Sequence, residues 1–286
     1  MESVQRIISD FDQRGYVLSE ELATVLYLSG ELSKPVLLEG NPGVGKTSAA
    51  ATLAKSMDTK LVRLQCYEGL DVNNAIYEWN YQKQLLHIKL NEKGEQQARI
   101  EKEIFGREYL LERPLLQSIS HEEGPVVLLI DEIDRADEEF EAFLLEILSE
   151  YQISIPELGT ITAKHIPRVI LTSNRTRELS DALKRRCLYH WLDYPDQSAE
   201  ELIINKSIPG IDQALTKKMV SMIRSIRGLR LQKTPGIAES IDWARTLVLL
   251  GQHDISKETL KKTLGVILKS QEDFAFVVDE WLEKEG

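Results

Sequence analysis

The segment Pro35–Thr47, PVLLEGNPGVGKT, constrains this chain more than any other stretch of it. An apolar run, Pro35–Glu39, ends in Gly40-Asn41-Pro42-Gly43-Val44-Gly45-Lys46-Thr47, and a helical pattern over Ser48–Met57 follows. This is G-x-x-x-x-G-K-[ST] in the strand–turn–helix context that the motif requires. Glycines let the backbone curl so that successive N–H groups face one centre, and the start of the helix adds its partial positive charge. Such a concavity holds phosphates. Lys46 is placed to neutralise the β- and γ-phosphates, and the Thr47 hydroxyl to bind Mg²⁺. The competing reading, a plain surface turn, explains neither the strand before it nor the helix after it.

Three more short apolar runs follow: Lys60–Gln65, Val126–Ile130 and Arg168–Thr172. Strands alternating with helical patterns at this spacing predict an α/β fold, a parallel sheet with helices on both faces. Phe140, Phe143, Leu144, Ile147, Leu148 and Tyr151 recur as one apolar helix face. Past Pro195 the pattern changes to helical periodicity punctuated by Pro209-Gly210 and Pro235-Gly236. Two domains are therefore expected, a nucleotide-binding α/β domain over 1–195 and a small all-helical lid over 196–286. The stretch Thr259–Trp281 is among those that show helical periodicity.

The net charge of −11 is not spread evenly. Residues 121–150 hold 11 acidic side chains against Arg135 alone. Two of the acids, Asp131 and Glu132, follow the Val126–Ile130 strand directly, and ligands bind at the C-terminal ends of such strands. Asp131 is expected to hold Mg²⁺, directly or through water, and Glu132 to act as general base on the attacking water. Asp134 and Asp137 are placed to cap the next helix. Glu138, Glu139, Glu141, Glu146 and Glu150 read as a solvated helix face.

The opposite charge lies further on. Lys164, Arg168, Arg175, Arg177, Lys184, Arg185 and Arg186 face only Glu178 and Asp181 within 164–190. Asn174, at the end of the Arg168–Thr172 strand, could orient a water beside the γ-phosphate or cap a turn. Arg185 and Arg186 put fixed positive charge after a short helix, where an arginine can serve a neighbouring subunit's phosphoryl transfer or offset a helix dipole.

The acidic balance argues against a general nucleic-acid coat. The N-terminus lacks the basic start and apolar core of a signal peptide, and the longest apolar run is far too short to span a membrane. Cys66 and Cys187 form no disulfide framework and read as reduced thiols of a cytoplasmic protein. Cys187 and His190 have ligand-like spacing, but no second pair accompanies them.

Taken in order, GNPGVGKT (40–47), VVLLIDEIDRADEEFEAFLLEILSEYQISI (126–155), TSNRTRELSDALKRRC (172–187) and TPGIAESIDWARTL (234–247) resemble an AAA+ ATPase. More narrowly they resemble the MoxR family, and within it the CoxD-type proteins linked to carbon monoxide dehydrogenase maturation. The resemblance implies ATP and Mg²⁺ as cofactors. It makes Gly40, Asn41, Pro42, Gly43, Val44, Gly45, Lys46, Thr47 and Ser48 the phosphate loop, Thr47 and Asp131 the metal residues, and Glu132 the base. Asn174 matches the sensor 1 residue, and Arg186 the arginine finger, with Arg185 a near alternative. Tyr16 and Val17 sit where the family has an adenine-side segment. The resemblance further implies a ring, typically a hexamer, a von Willebrand A-domain partner and a metalloenzyme client. Two insertions are expected, one over about 71–118 and a β-hairpin over about 151–166. Trp79 and Tyr81, in the first, are also explained by local packing.

One position departs from the family. An arginine serving as sensor 2 is expected at the start of a lid helix, and Pro235-Gly236 stands there. Arg230 or Lys233 could take its place, or the role is missing. Three other functions compete with an ATP-driven remodelling motor. A nucleic-acid motor of the same superfamily draws on the basic segment. A GTPase switch lacks a guanine-reading N-K-x-D. A binding module without catalysis draws on the missing sensor 2 arginine.

Overall fold

The computed structural model describes residues 2–91 and 103–282. Five strands form one parallel sheet: β1 (Val36–Gly40), β2 (Leu61–Gln65), β5 (Val127–Asp131), β8 (Arg168–Ser173) and β9 (Leu188–Leu192), in the order β2-β5-β8-β1-β9. β1 and β5 are buried along their whole length, which is why they read as unbroken apolar runs. Their side chains still alternate. Leu37, Leu128, Ile130, Val169 and Leu171 enter one core. Val36, Leu38, Val127, Leu129 and Ile170 enter the core on the opposite face. Burying each such aliphatic side chain contributes about 1.5–3 kcal/mol.

Helices cover both faces. The second face is packed by α1 (Glu2–Gln13), α2 (Glu20–Glu31) and α3 (Lys46–Ser56), through Phe11, Leu22, Leu26, Ala49 and Leu53. The first is packed by α4 (Val72–Ile76), α6 (Pro114–Ile119) and α7 (Glu138–Glu150). Before α6 lie α5 (Tyr81–Asn91) and the two-stranded sheet of β3 (Tyr77–Trp79) with β4 (Leu110–Glu112). Trp79 is buried there, edge-on to Phe105 at 5.4 Å, whereas Tyr81 is exposed. Residues 92–102 of the first expected insertion lie outside the described residues. After α7 comes the hairpin of β6 (Gln152–Ile155) and β7 (Gly159–Thr162).

The edge strand β9 was not among the strands expected from sequence. Its residues alternate between half-buried and exposed, so no apolar run marks it. Its aromatic content, Tyr189 and Trp191, was the available signal.

Beyond the short helix α8 (Asp181–Arg186), the chain is helical from residue 197: α9 (Gln197–Ser207), α10 (Gln213–Arg227), α11 (Ile237–Leu249), α12 (Lys257–Ile267) and α13 (Gln271–Phe276), with a final π-turn over Val277–Leu282. The helical stretch Thr259–Trp281 is broken at Leu268–Ser270, because Ser270 caps a new helix by accepting from Asp273 N–H at 3.1 Å. These helices share their own core around Trp243, whose indole N–H donates to Thr263 Oγ1 at 2.8 Å.

One ion pair organises this region. Arg227 and Glu200, 8% and 0% exposed, are joined by two hydrogen bonds of 2.6 and 2.8 Å. Arg227 also donates to Pro235 O at 2.7 Å and to Ser240 Oγ at 3.0 Å, and lies over the Tyr194 ring. Arg227→Ala strands the Glu200 carboxylate in the core. It should cost about 3–5 kcal/mol, read as a loss of stability in urea denaturation, whereas an exposed control such as Lys261→Ala should stay near zero.

Candidate functional site

The parallel register decides what meets at the top of the sheet. β1 ends at Gly40 and passes into the phosphate loop; β5 ends at Asp131; β8 ends at Ser173, beside β1 and β5. Lys46, Thr47, Ser48, Asp131, Glu132, Thr172 and Asn174 line one cleft of about 330 Å³, closed from the lid side by Ile237, Ala238 and Ile241.

The loop has the strained backbone its glycines permit. Gly43 and Gly45 have φ of 77° and 99°, the left-handed region. Lys46 is buried, and its ammonium donates to Gly40 O and Asn41 O, each at 2.8 Å. Burial lowers its pKa from the ordinary lysine value, while Asp134, Asp131, Glu132 and Glu39 pull the other way. Thr47 Oγ1 lies 3.1 and 3.3 Å from the two Asp131 oxygens. A hydroxyl and a carboxylate side by side are the hard oxygen donors that Mg²⁺ takes, so the residues present fit that ion.

Asp131 is 3% exposed and is met by side chains of Thr47, Arg63 and Thr172. Arg63 on β2 donates to it through Nε at 3.1 Å and Nη2 at 2.6 Å. Thr172 Oγ1 donates to Asp131 Oδ1 and accepts from Glu132 N–H at 2.9 Å. Glu132 itself has φ 55° and pairs with Arg135 at 2.9 Å. Arg63 and Thr172 were missed from sequence. A lone arginine inside the strand LVRLQ was the only signal for the first; for Thr172 the sequence offered none.

Asp134 does not cap a helix as expected. It is buried, and its Oδ2 accepts from Asn174 N–H, Thr176 N–H and Thr176 Oγ1 at 3.2, 2.8 and 2.6 Å. It thereby fixes the loop that carries Asn174. Asp137 does cap, accepting from Phe140 N–H at 2.8 Å. Glu141 also departs from expectation. It is 1% exposed rather than solvated, bonded to Arg177 and to Ser180 N–H, so this acid holds the basic segment of its own chain. A one-letter helix pattern cannot show that a distant arginine reaches across to a position on the polar side.

Glu39, also missed, is buried just before the phosphate loop. It accepts from Ser173 Oγ and Tyr189 OH, each at 3.2 Å, so the ends of β1, β8 and β9 are tied together.

A second cavity of about 630 Å³ adjoins the first, sharing Gly45, Ser48, Ile237 and Ile241 with it. Tyr16 and Val17 line it with Val44, His190 and Tyr194. Tyr16 OH contacts Gly45 O at 3.4 Å, and burial raises its pKa. By contrast, Arg185 and Arg186 are exposed and line neither cavity. Arg230 is exposed too, and Lys233 lines a different hollow behind the loop. Neither substitute for sensor 2 reaches the phosphate cleft.

Cys66 and Cys187 are buried and free, and burial pushes both thiols up to about 12. No cluster of three metal-ligating side chains occurs among the described residues, and no helix among them is long and apolar enough to cross a membrane.

Residues 35–187 match the family model of the AAA domain, dynein-related subfamily. The chain belongs to that AAA family. It is 27% identical over 224 residues to an uncharacterized protein of Staphylococcus haemolyticus, covering 76% of each chain. It is likewise 27% identical over 209 residues to an uncharacterized protein of Staphylococcus aureus, covering 71% of this chain and 72% of that one. Two solved structures share the fold of this AAA protein. One is a proposed ATPase of Cytophaga hutchinsonii, with TM-score 0.51 and 18% identity over 99% of this chain and 93% of that one. The other is a variant of Thermotoga maritima RuvB, with TM-score 0.53 and 17% identity over 93% and 77%.

Replacing Thr172 in this AAA domain by Val keeps the volume but leaves Glu132 N–H without its acceptor and Asp131 short of one donor. The loss should be about 1–3 kcal/mol of stability, measured by chemical denaturation.

Proposed function

We propose that this AAA protein hydrolyses ATP with Mg²⁺ and uses the cycle to remodel a client protein, in the manner of MoxR and CoxD-type proteins. The observation that carries the ATPase reading is the convergence of Lys46, Thr47, Asp131, Glu132 and Asn174 on one cleft. The phosphate-loop backbone from Gly40 to Ser48 binds the phosphates, Lys46 neutralises them, and the Tyr16–Val17 cavity takes the base. Thr47 and Asp131 would hold Mg²⁺, which supplies charge neutralisation on the β- and γ-phosphates. Glu132 leaves Arg135 to accept a proton from water; the water oxygen attacks γ-phosphorus, the bond to the β-bridging oxygen breaks, and ADP departs. Asn174 orients that water.

The ring rests on the exposure of Arg185 and Arg186. An arginine that does not line its own cleft is available to a neighbour's, where such a residue is worth about 10³–10⁵ in rate. The hexameric state, a cytoplasmic setting, the von Willebrand A-domain partner and the metalloenzyme client are supported by the sequence resemblance alone. A nucleic-acid motor is less favoured than it was from sequence, because much of the basic segment is engaged within the chain: Arg177 with Glu141, Lys184 with Glu178, and the half-buried Arg168 with Leu26 O of α2.

Two measurements test this. Glu132→Gln should keep ATP affinity and lower phosphate release by about 10²–10⁴; full turnover in that variant would remove Glu132 as the base. The ATPase rate per subunit should rise with protein concentration, fall in Arg186→Ala, and fall with salt as assembly weakens. A rate that is flat down to the monomer and indifferent to Arg186 would sink the ring.

A further inference from the structure

The lid meets the phosphate loop through bare backbone. Ile237 N–H donates to Gly43 O at 2.9 Å. A Cβ on Gly236 would lie 2.8 Å from Gly43 Cα and 2.9 Å from Glu239 Oε2, and a Cβ on Gly43 would lie 3.0 Å from Gly236 Cα. Side chains do not pack that closely against backbone, so the approach exists only because both residues are glycine. It occurs where the family resemblance leads one to expect an arginine.

The turn that presents Gly236 is held from several sides. Its N–H donates to Glu239 Oε2 at 2.9 Å. Pro235 O and Gly236 O accept from Arg227 at 2.7 and 3.3 Å, and Arg227 is locked by Glu200. Gln232 N–H and Lys233 N–H donate to the Asp273 carboxylate at 2.7 and 3.0 Å, which ties the preceding loop to α13. A turn so fixed to three lid helices cannot yield by itself. A shift of Gly43 therefore has to move α11 and the rest of the lid as one piece.

We propose that Gly236 is a positioning residue that stands in for a phosphate-sensing arginine: the Gly43–Gly236 clasp passes the state of the phosphate loop to the lid by backbone contact. This rests on the nucleotide-hydrolysing reading above. It differs from an arginine sensor in what it reports. An arginine aimed at the γ-phosphate distinguishes triphosphate from diphosphate. The loop backbone cradles the α- and β-phosphates, so the clasp responds to either nucleotide alike.

The test places one dye on the lid at Lys257→Cys and one on α7 at Glu146→Cys, both exposed sites, in the full chain whose native cysteines are buried. With Gly236 intact, ADP and a non-hydrolysable ATP analogue should give the same change in energy transfer. G236A should lose at least half of that change and slow hydrolysis, while its ADP dissociation constant moves less than about threefold. Should G236A fail to fold, E239A serves instead. It frees the Gly236 N–H without adding volume, and should also reduce the change. A change seen only with the triphosphate analogue would overturn the clasp, as would a full ADP response in G236A or, if G236A does not fold, in E239A. Failure of the doubly labelled parent to bind nucleotide at all would instead overturn the ATPase reading, and the inference with it.

Discussion

The Asp131 carboxylate is the constraint on which the top of this sheet depends. It is nearly excluded from water at the end of a fully buried strand, where an unpaired charge would cost several kcal/mol. The surrounding chain answers with donors from three directions: Thr47 from the phosphate loop, Arg63 from β2 and Thr172 from β8. Two of these donors sit on the strands that flank β5, Arg63 on β2 and Thr172 on β8, and Thr47 sits in the first turn of α3. The same contacts place Thr47 beside Asp131 and place Glu132 N–H on Thr172. Satisfying one buried charge and assembling the cleft are therefore the same set of hydrogen bonds.

A second tier of buried acids extends this outward. Asp134 gathers the backbone of the Asn174 loop, Glu141 takes Arg177 and the N-cap of α8, and Glu39 joins the ends of β1, β8 and β9. The helix that carries Arg185 and Arg186 is thus fixed by Glu141 at its start and by β9 at its end. The acidic segment over 121–150 serves partly as internal counter-charge to the basic segment over 164–190. The charge left at the surface is smaller than the sequence totals imply, and lies on residues such as Glu138, Glu139, Arg185 and Arg186 that stay exposed.

The lid has a different logic. Its apolar core around Trp243 is separate from the two cores of the sheet, yet α11 starts directly on the phosphate loop. Arg227 makes its hydrogen bonds within the lid, to Glu200, Pro235, Gly236 and Ser240. It holds the Pro235–Gly236 turn, so its charge acts on lid geometry and not on phosphate.

How much of this could be read in advance divides along a physical line. The sequence by itself determined the features written in consecutive residues. These are the glycine loop with Lys46 and Thr47, the apolar runs of β1, β5 and β8, the Asp131–Glu132 pair at a strand end, and the change to helical periodicity past Pro195. Backbone sterics and local burial set those, and neighbours along the chain suffice to show them. Tertiary structure alone decided the rest: that Glu141 is buried while Glu138 and Glu139 are not, that Arg63 and Thr172 share Asp131, that β9 closes the sheet edge, and that Gly236 touches Gly43. Each depends on a partner 36 or more residues away in sequence. Whether a polar side chain is solvated or buried is settled only when the parallel register and helix packing bring that partner within hydrogen-bonding reach.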